Sequence, residues 1–170
     1  ATRLEGPVRY GVTAVLPVCL VSVLLILRFD AGPFWQWNLL DPSYFYLLDS
    51  LNLLNLRPPG HIAHPGVTVE MLGAATIRLR HPGANAEEIT AWVLSNPEYY
   101  LGLISTTIIV LNGIALWALG IAARSSFGSI LPAVTLQAAP FMSTLVVKHG
   151  YLPKPEGMLV FGTLALMTMT

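Results

Sequence analysis

One ten-residue stretch of the sequence combines backbone rigidity with titratable side chains. Residues 57–66, RPPGHIAHPG, hold three prolines, two glycines, an arginine and two histidines, His61 and His64. Proline fixes φ and removes a backbone donor, so neither a regular helix nor a strand continues through this stretch. Imidazole can bind a metal, move a proton or contact an anion near neutral pH. The stretch is therefore predicted to be a rigid loop that presents histidine side chains for binding.

Carboxylates and lysines stand at two other places that could do chemistry. Asp41 comes directly before a proline, and Glu156 lies in PKPEG, close to Lys148 and Lys154. A carboxylate can act as a general base, and a lysine places positive charge beside a phosphate. Each residue also has a simpler explanation. Asp41 could be nothing more than a helix N-cap, and Glu156 nothing more than an acid that interacts favourably with a helix N-terminus. The loop histidines could simply be solvated.

The composition indicates where these residues sit. The chain has 170 residues, is 54% hydrophobic and only 11% charged, and its formal net charge is zero; typical soluble domains have roughly 25% charged residues. Neutral charge argues against nucleic acid as a partner, because that needs clustered Lys and Arg. The single cysteine, Cys19, excludes a disulfide framework within the chain. The sequence predicts an all-α integral membrane protein.

Four apolar segments are predicted to cross the bilayer, and they occupy about 10–27, 100–123, 127–147 and 157–170. Arg3 and Arg9 precede the first segment, which favours a cytoplasmic amino terminus and a cytoplasmic Arg124. A cleaved signal peptide is the alternative for the first segment, although no small-residue cleavage site follows it. The residues RSS after Ala123 predict a tight hairpin between the second and third spans.

The residues between the first two spans, 28–99, are predicted to form a long external loop of surface-lying helices. Asp41 and Pro42 are typical of a helix start, and apolar residues recur at helical spacing over 42–55. A second helix is expected over 66–80, with a short transmembrane helix as the alternative, and a third over 86–95. Asn112 and Gln137, inside spans, are expected to form interhelical hydrogen bonds. Because the chain opens on Ala1 and stops in an apolar run, it is expected to be one membrane module of a longer protein.

This order of features resembles the amino-terminal part of the GT-C membrane glycosyltransferases. The stretches that carry the resemblance are LLDPSYFYLLDSLNLLNLRPPGHIAHPGVTVEML, NPEYYLGLIS and LPKPEGMLVFG. The family includes protein O-mannosyltransferases and the aminoarabinose transferases of lipid A, which use polyprenyl-phosphate sugars as donors. The chain departs from the family in having only four predicted spans and a single Asp where the mannosyltransferases carry an acidic pair.

The resemblance implies a set of roles for named residues. Asp41 matches the catalytic acid of the first external loop, Glu156 a second acid, and His64 the histidine of the proline-rich turn. The implied substrate contacts are His61, His64, Lys148 and Lys154. A divalent metal is a possible cofactor, held by Asp41, His64 and Glu156. The implied setting is a bacterial inner membrane, with the bilayer and a polyprenyl-phosphate sugar as partners.

Two hypotheses of different class follow. The first is an enzyme that transfers a sugar from a polyprenyl-phosphate donor to an external acceptor. The second is a non-catalytic membrane subunit that keeps the same module for packing against other membrane subunits. A channel or transporter fits less well, because the polar residues cluster at the span ends rather than at the midplane.

Overall fold

The computed structural model describes residues 7–36, 43–60 and 66–169, with side chains described from residue 11 onward. These residues are all-helical. Eight α-helices occupy them: α1 (Pro7–Asp30), α2 (Ser43–Leu54), α3 (Val67–Arg80), α4 (Ala86–Ser95), α5 (Pro97–Phe127), α6 (Ile130–Ala138), α7 (Thr144–His149) and α8 (Pro155–Met167). Short 3₁₀ turns occupy Phe34–Gln36 and Ala139–Met142.

The long helix α5 is the axis on which the described elements pack. α1, α6 and α8 lie against it, and α2 and α3 pack on each other and on its Pro97 end. One buried cluster joins the helices of the loop region to the first third of α5; it includes Tyr46, Ile77, Val93 and Ile104. A second cluster joins α1 and α8 to the rest of α5 through Leu20, Leu116 and Leu164.

Two described helices are long and apolar enough to cross a bilayer, namely Gly11–Asp30 of α1 and Pro97–Phe127 of α5. Most of the α1 side chains do not face the protein, and Val15, Val18 and Ile26 are exposed. An apolar helix surface of this kind suits lipid better than water. Leu20 and Leu24 are buried against α5 and α8, so α1 is packed into the fold.

The predicted third span is not one helix. α5 continues through Arg124, Ser125 and Ser126, so the expected RSS turn is helical, and the chain reverses at Gly128 instead. Gly128 has a φ of 65° and donates its N–H to Arg124 O at 3.0 Å, as an αL helix cap does. The two helices nevertheless pack as expected, since α6 lies along α5.

Proline and serine divide the segment that follows Gly128. Pro140 falls in the 3₁₀ turn after α6, where it removes a backbone donor, and Ser143 caps α7 by accepting the N–H of Val146 at 3.3 Å. Two shorter apolar helical segments are Ile130–Met142, which is α6 with the 3₁₀ turn after it, and Pro155–Met167, which is α8. The third and fourth spans therefore remain predictions.

The helices of the predicted surface loop form close to the expected bounds. α4 begins with a capping box: Asn85 Oδ1 accepts the N–H of Glu88 at 2.8 Å, and Glu88 accepts the N–H of Asn85 at 3.1 Å. α3 is 14 residues long and buries Glu70. The predicted cap at Asp41 lies outside the described residues.

Candidate functional site

Glu156 is the described member of the predicted catalytic pair. It lies in the first turn of α8, behind Lys154 at the N-cap position and Pro155 at the first helical position. The side chain is half-buried, and its Oε2 accepts no hydrogen bond from a described residue. A buried carboxylate oxygen without a donor is costly, so this atom is suited to receive a ligand or water.

The neighbouring basic residues differ in exposure. Lys154 is buried, with 6% of its surface exposed, whereas Lys148 at the end of α7 is exposed. His149 lies between them and has a buried Nδ1 that bonds to no described residue. The segment 149–156 thus brings an imidazole nitrogen and a carboxylate oxygen into the protein while keeping both available.

The segment before α8 is held in place by polar side chains of α5. Asn112 is buried, and its Nδ2 donates to Gly150 O at 3.3 Å and Gly157 O at 3.4 Å. Ser105 Oγ donates to Tyr151 O at 2.5 Å. Asn112 was expected to form an interhelical hydrogen bond, and its bond from α5 to Gly157 O of α8 confirms this; its second bond, to Gly150 O, holds the other end of the segment. These hydrogen bonds consequently hold the segment before α8 against α5.

Gln137 meets the expectation of an interhelical link. From α6 its Nε2 donates to Thr13 O of α1 at 2.9 Å and to Leu116 O of α5 at 3.0 Å. This contact lies far along α5 from Glu98, so it stabilises the opposite half of the molecule. It has no part in the candidate site.

The first turns of α2 and α3 meet, and each follows a stretch that carries predicted site residues. A Cβ built on Gly66 would lie 2.6 Å from the Tyr46 ring and 2.7 Å from Glu70 Oε1, so a side chain there would have to displace both of them. Glu70 is itself buried. Asp41, His61 and His64 lie outside the described residues. Their nearest described neighbours along the chain, Ser43, Gly60 and Gly66, lie on α2 or in contact with it.

α3 runs along α5 toward the level at which α8 begins. His81, after the end of α3, has its Nε2 2.8 Å from Tyr100 Oη. One turn further along α5, Ile104 Cδ1 lies 3.2 Å from the position of a Cβ on Gly73. On the next turn of α5, Ile108 Cγ2 lies 3.1 Å from the position of a Cβ on Gly157. The N-terminal end of α3 therefore points toward the start of α8, and these two helices are in contact.

A carboxylate that the sequence analysis missed fixes the rest of this region. Glu98 of α5 accepts the backbone N–H groups of Phe34 at 2.9 Å and Trp35 at 3.3 Å, together with the hydroxyl of Tyr44. Burial raises the pKa of Tyr44 to about 12, aided by the hydrogen bond to Glu98 and the nearby negative charge. The signal was NPEYY, where an acid follows Asn-Pro at a helix start.

A second missed carboxylate positions the proline-rich loop. Asp49 of α2 is buried and accepts the backbone N–H of Gly60 at 2.6 Å and the amide of Asn52 at 3.1 Å. The loop is thereby tied to α2 eleven residues before Gly60. The amphipathic pattern over 42–55 gave no signal for this contact.

The metal site implied by the resemblance has one described candidate ligand, Glu156. Within residues 7–36, 43–60 and 66–169, no group of three or more His, Cys, Asp or Glu side chains could hold a metal ion. Because Asp41 and His64 belong to the predicted set, the divalent metal stays a prediction.

Comparison with known proteins identified no relative of this chain. No protein-family model, no curated protein and no solved structure matches this chain. The functional interpretation therefore rests on the residues and their geometry.

Proposed function

We propose that this chain is a GT-C-like membrane glycosyltransferase module that transfers a sugar from a polyprenyl-phosphate donor to an external acceptor. The observation that supports the proposal is that α3 contacts both α2 and α8. The first turn of α2 contacts the start of α3 at Gly66, and α3 also packs on α8, whose first turn holds Glu156. These starts follow or contain Asp41, His64 and Glu156.

The proposed chemistry needs a base, a cation and a dry, supported platform. Asp41 takes the proton of the acceptor hydroxyl while the acceptor oxygen bonds to the anomeric carbon of the sugar. The bond from that carbon to the phosphate oxygen breaks, and polyprenyl phosphate leaves. His64 and Lys154 offset the phosphate charge, and Glu156, with its available Oε2, orients the acceptor or holds a metal.

The position of the platform suits a lipid-linked donor. The donor tail lies in the bilayer, so the sugar phosphate is held at the membrane interface. Of the described helices, α1 and α5 are long and apolar enough to span, and the α2–α3 pair packs at the Pro97 end of α5. Asp49 and Glu98 hold this end by hydrogen bonds to backbone N–H groups, which pre-organises the side chains around it.

The test is release of polyprenyl phosphate by the protein in lipid nanodiscs. The donors are undecaprenyl-phosphate mannose and undecaprenyl-phosphate aminoarabinose, supplied separately. Asp41→Asn should lower the rate by about 10²–10⁴-fold, because Asn cannot act as a base. It caps a helix about as well as Asp, so the melting temperature should not change.

Glu88→Gln is the matched control for this assay. Gln removes one negative charge on α4 but keeps the capping box, so turnover should be unchanged. Full activity of Asp41→Asn would reduce Asp41 to a helix cap. Absence of turnover with both donors, in a folded protein, would favour the non-catalytic membrane subunit.

A further inference from the structure

A groove between α2 and α4 lies outside the candidate site. It has a volume of about 840 Å³, which is within the range of small-molecule sites. Hydrogen bonds join the two sides of the groove. Asn55 Nδ2, at the end of α2, donates to Thr90 Oγ1 of α4 at 3.1 Å, and Thr90 Oγ1 donates to Ala86 O at 2.7 Å. The groove is therefore a built feature of the helix pair.

The polar side of the groove carries one charge of each sign. Arg57, just after α2, and Glu87, in the first turn of α4, both line it. Both side chains are exposed, and neither forms an ion pair with another side chain of the described chain. Asn52 and Asn55 add amide groups to the lining. A ligand that fits this wall has an anionic and a cationic group, with hydrogen-bonding atoms between the two.

Another part of the groove lining is apolar. Leu48 and Leu94 line the groove and are 46% and 55% exposed, and Ala91 lines it about one turn before Leu94 on α4. Exposed leucines beside a polar wall suit an amphiphile rather than a free metabolite. The helices α2 and α4 belong to the stretch predicted to lie along the membrane surface, which would bring lipid headgroups to the groove.

We propose that the α2–α4 groove binds the headgroup of a phosphatidylethanolamine-type lipid, an inference that rests on the surface position of these helices. Arg57 donates to the phosphodiester in the forked geometry that guanidinium offers phosphate. Glu87 accepts hydrogen bonds from the primary ammonium. Asn52, whose Nδ2 donates one hydrogen to Asp49 Oδ1, donates the other to an ester oxygen, and the leucines contact the glycerol and the first acyl carbons. A trimethylated choline headgroup lacks N–H donors for Glu87, and a glycerol headgroup lacks the positive charge.

The experiment measures thermal stabilisation of the detergent-solubilised protein by short-chain lipids. The probes are dihexanoyl phosphatidylethanolamine, phosphatidylcholine and phosphatidylglycerol at equal concentrations below their micelle threshold, with glycerophosphoethanolamine as the headgroup without acyl chains. We expect the ethanolamine lipid to bind about two- to fivefold more tightly than the other two lipids, as one exposed charge-assisted pair allows. Glycerophosphoethanolamine should bind more weakly than the lipid.

Charge-neutral variants assign the contacts. Glu87→Gln should abolish the preference for ethanolamine over glycerol headgroups, and Arg57→Gln should weaken binding of all three lipids. Glu88→Gln and Arg78→Gln remove the same charges outside the groove lining and should leave the preference intact.

Three results would overturn the proposal. The first is equal affinity of the wild-type protein for the three lipids, and the second is a preference that survives Glu87→Gln. The third is equal stabilisation by glycerophosphoethanolamine, which would mean that the ligand is water-soluble.

Discussion

Tyr44 of α2 donates its phenolic hydrogen to the carboxylate of Glu98, which lies 54 positions later at the start of α5. The same carboxylate accepts the N–H groups of Phe34 and Trp35, so one side chain joins three parts of the chain. This junction orients the first turn of α2 relative to the axis of the fold. It therefore supports the region that contains the candidate site.

Replacing Tyr44 by Phe removes the hydroxyl from this junction. We expect Tyr44→Phe to destabilise the protein by about 1–2 kcal/mol, because Glu98 loses a donor while its two backbone donors remain. Tyr99→Phe is the matched control. The Tyr99 hydroxyl accepts from Arg80 Nε at 3.1 Å at an exposed position, so its loss should cost under about 0.5 kcal/mol. Equal effects in thermal unfolding would mean that Tyr44–Glu98 carries no special weight.

The same hydroxyl gives an alkaline signature. The pKa of Tyr44 is raised from 10.0 to about 12, so the folded state keeps its proton at a pH where the unfolded chain loses it. The stability from this group is fully present below about pH 10 and is lost as pH rises toward 12. Melting temperatures measured from pH 8 to pH 12 should fall less steeply for Tyr44→Phe. Identical slopes for both proteins would contradict the shifted pKa.

A leucine occupies a backbone position that glycine favours. Leu56 follows α2 with a φ of 55° and is 96% exposed, while Arg57 N donates to Asn52 O at 2.8 Å, as in a Schellman cap. We expect Leu56→Gly to raise stability by about 0.5–1 kcal/mol, since the αL strain is removed and no buried contact is lost. Leu56→Val should lower stability, because a β-branched residue tolerates this φ less well. The reverse order in thermal unfolding would show that Leu56 makes a stabilising contact.

Two glycines of α8 should respond oppositely to alanine. A Cβ on Gly157 would lie 2.8 Å from Leu152 O and 3.1 Å from His149 O, and backbone atoms cannot rotate away. Gly157→Ala should destabilise the protein by about 1–3 kcal/mol. Gly162 has nothing within 4 Å of its Cβ position, so Gly162→Ala should be neutral or stabilising by up to about 1 kcal/mol. If Gly157→Ala left the stability unchanged, the segment before α8 would be able to move away from the added methyl group, in contradiction to the close contacts of the structure.

Local sequence signals predicted the helices of the loop region well. The expected ranges 42–55, 66–80 and 86–95 agree with α2, α3 and α4 to within one residue at each end. These signals act within a few residues, so they survive without tertiary information. The break of the predicted third span at Ala139–Met142 was harder to predict from the sequence, because a proline within an apolar run can either kink a helix or end it.

The orientation of α2 could not be predicted from its pattern. Asp49 and Ser50 are buried against the loop and Gly73, whereas Phe45 and Leu48 are about half-exposed. A simple amphipathic pattern would place Asp49 and Ser50 on the exposed face and Phe45 and Leu48 on the buried face. That expectation assumes that the surroundings of the helix are water and that its buried side is apolar. Glu98 was missed for a related reason, since its donors at Phe34 and Trp35 are more than 60 residues away in sequence.

The most direct test of the central claim is cross-linking between the proposed site residues. In a Cys19→Ala background, Asp41→Cys/Glu156→Cys and His64→Cys/Glu156→Cys are treated with a short bifunctional maleimide in native membranes. Ser126→Cys/Glu156→Cys is the control, because Ser126 is 18 residues beyond Ile108 on α5 and so about 27 Å further along the helix. Convergence predicts efficient intramolecular cross-links for both site pairs and none for the control. Absence of cross-links in the two site pairs, with every cysteine reactive toward a monofunctional maleimide, would contradict the account.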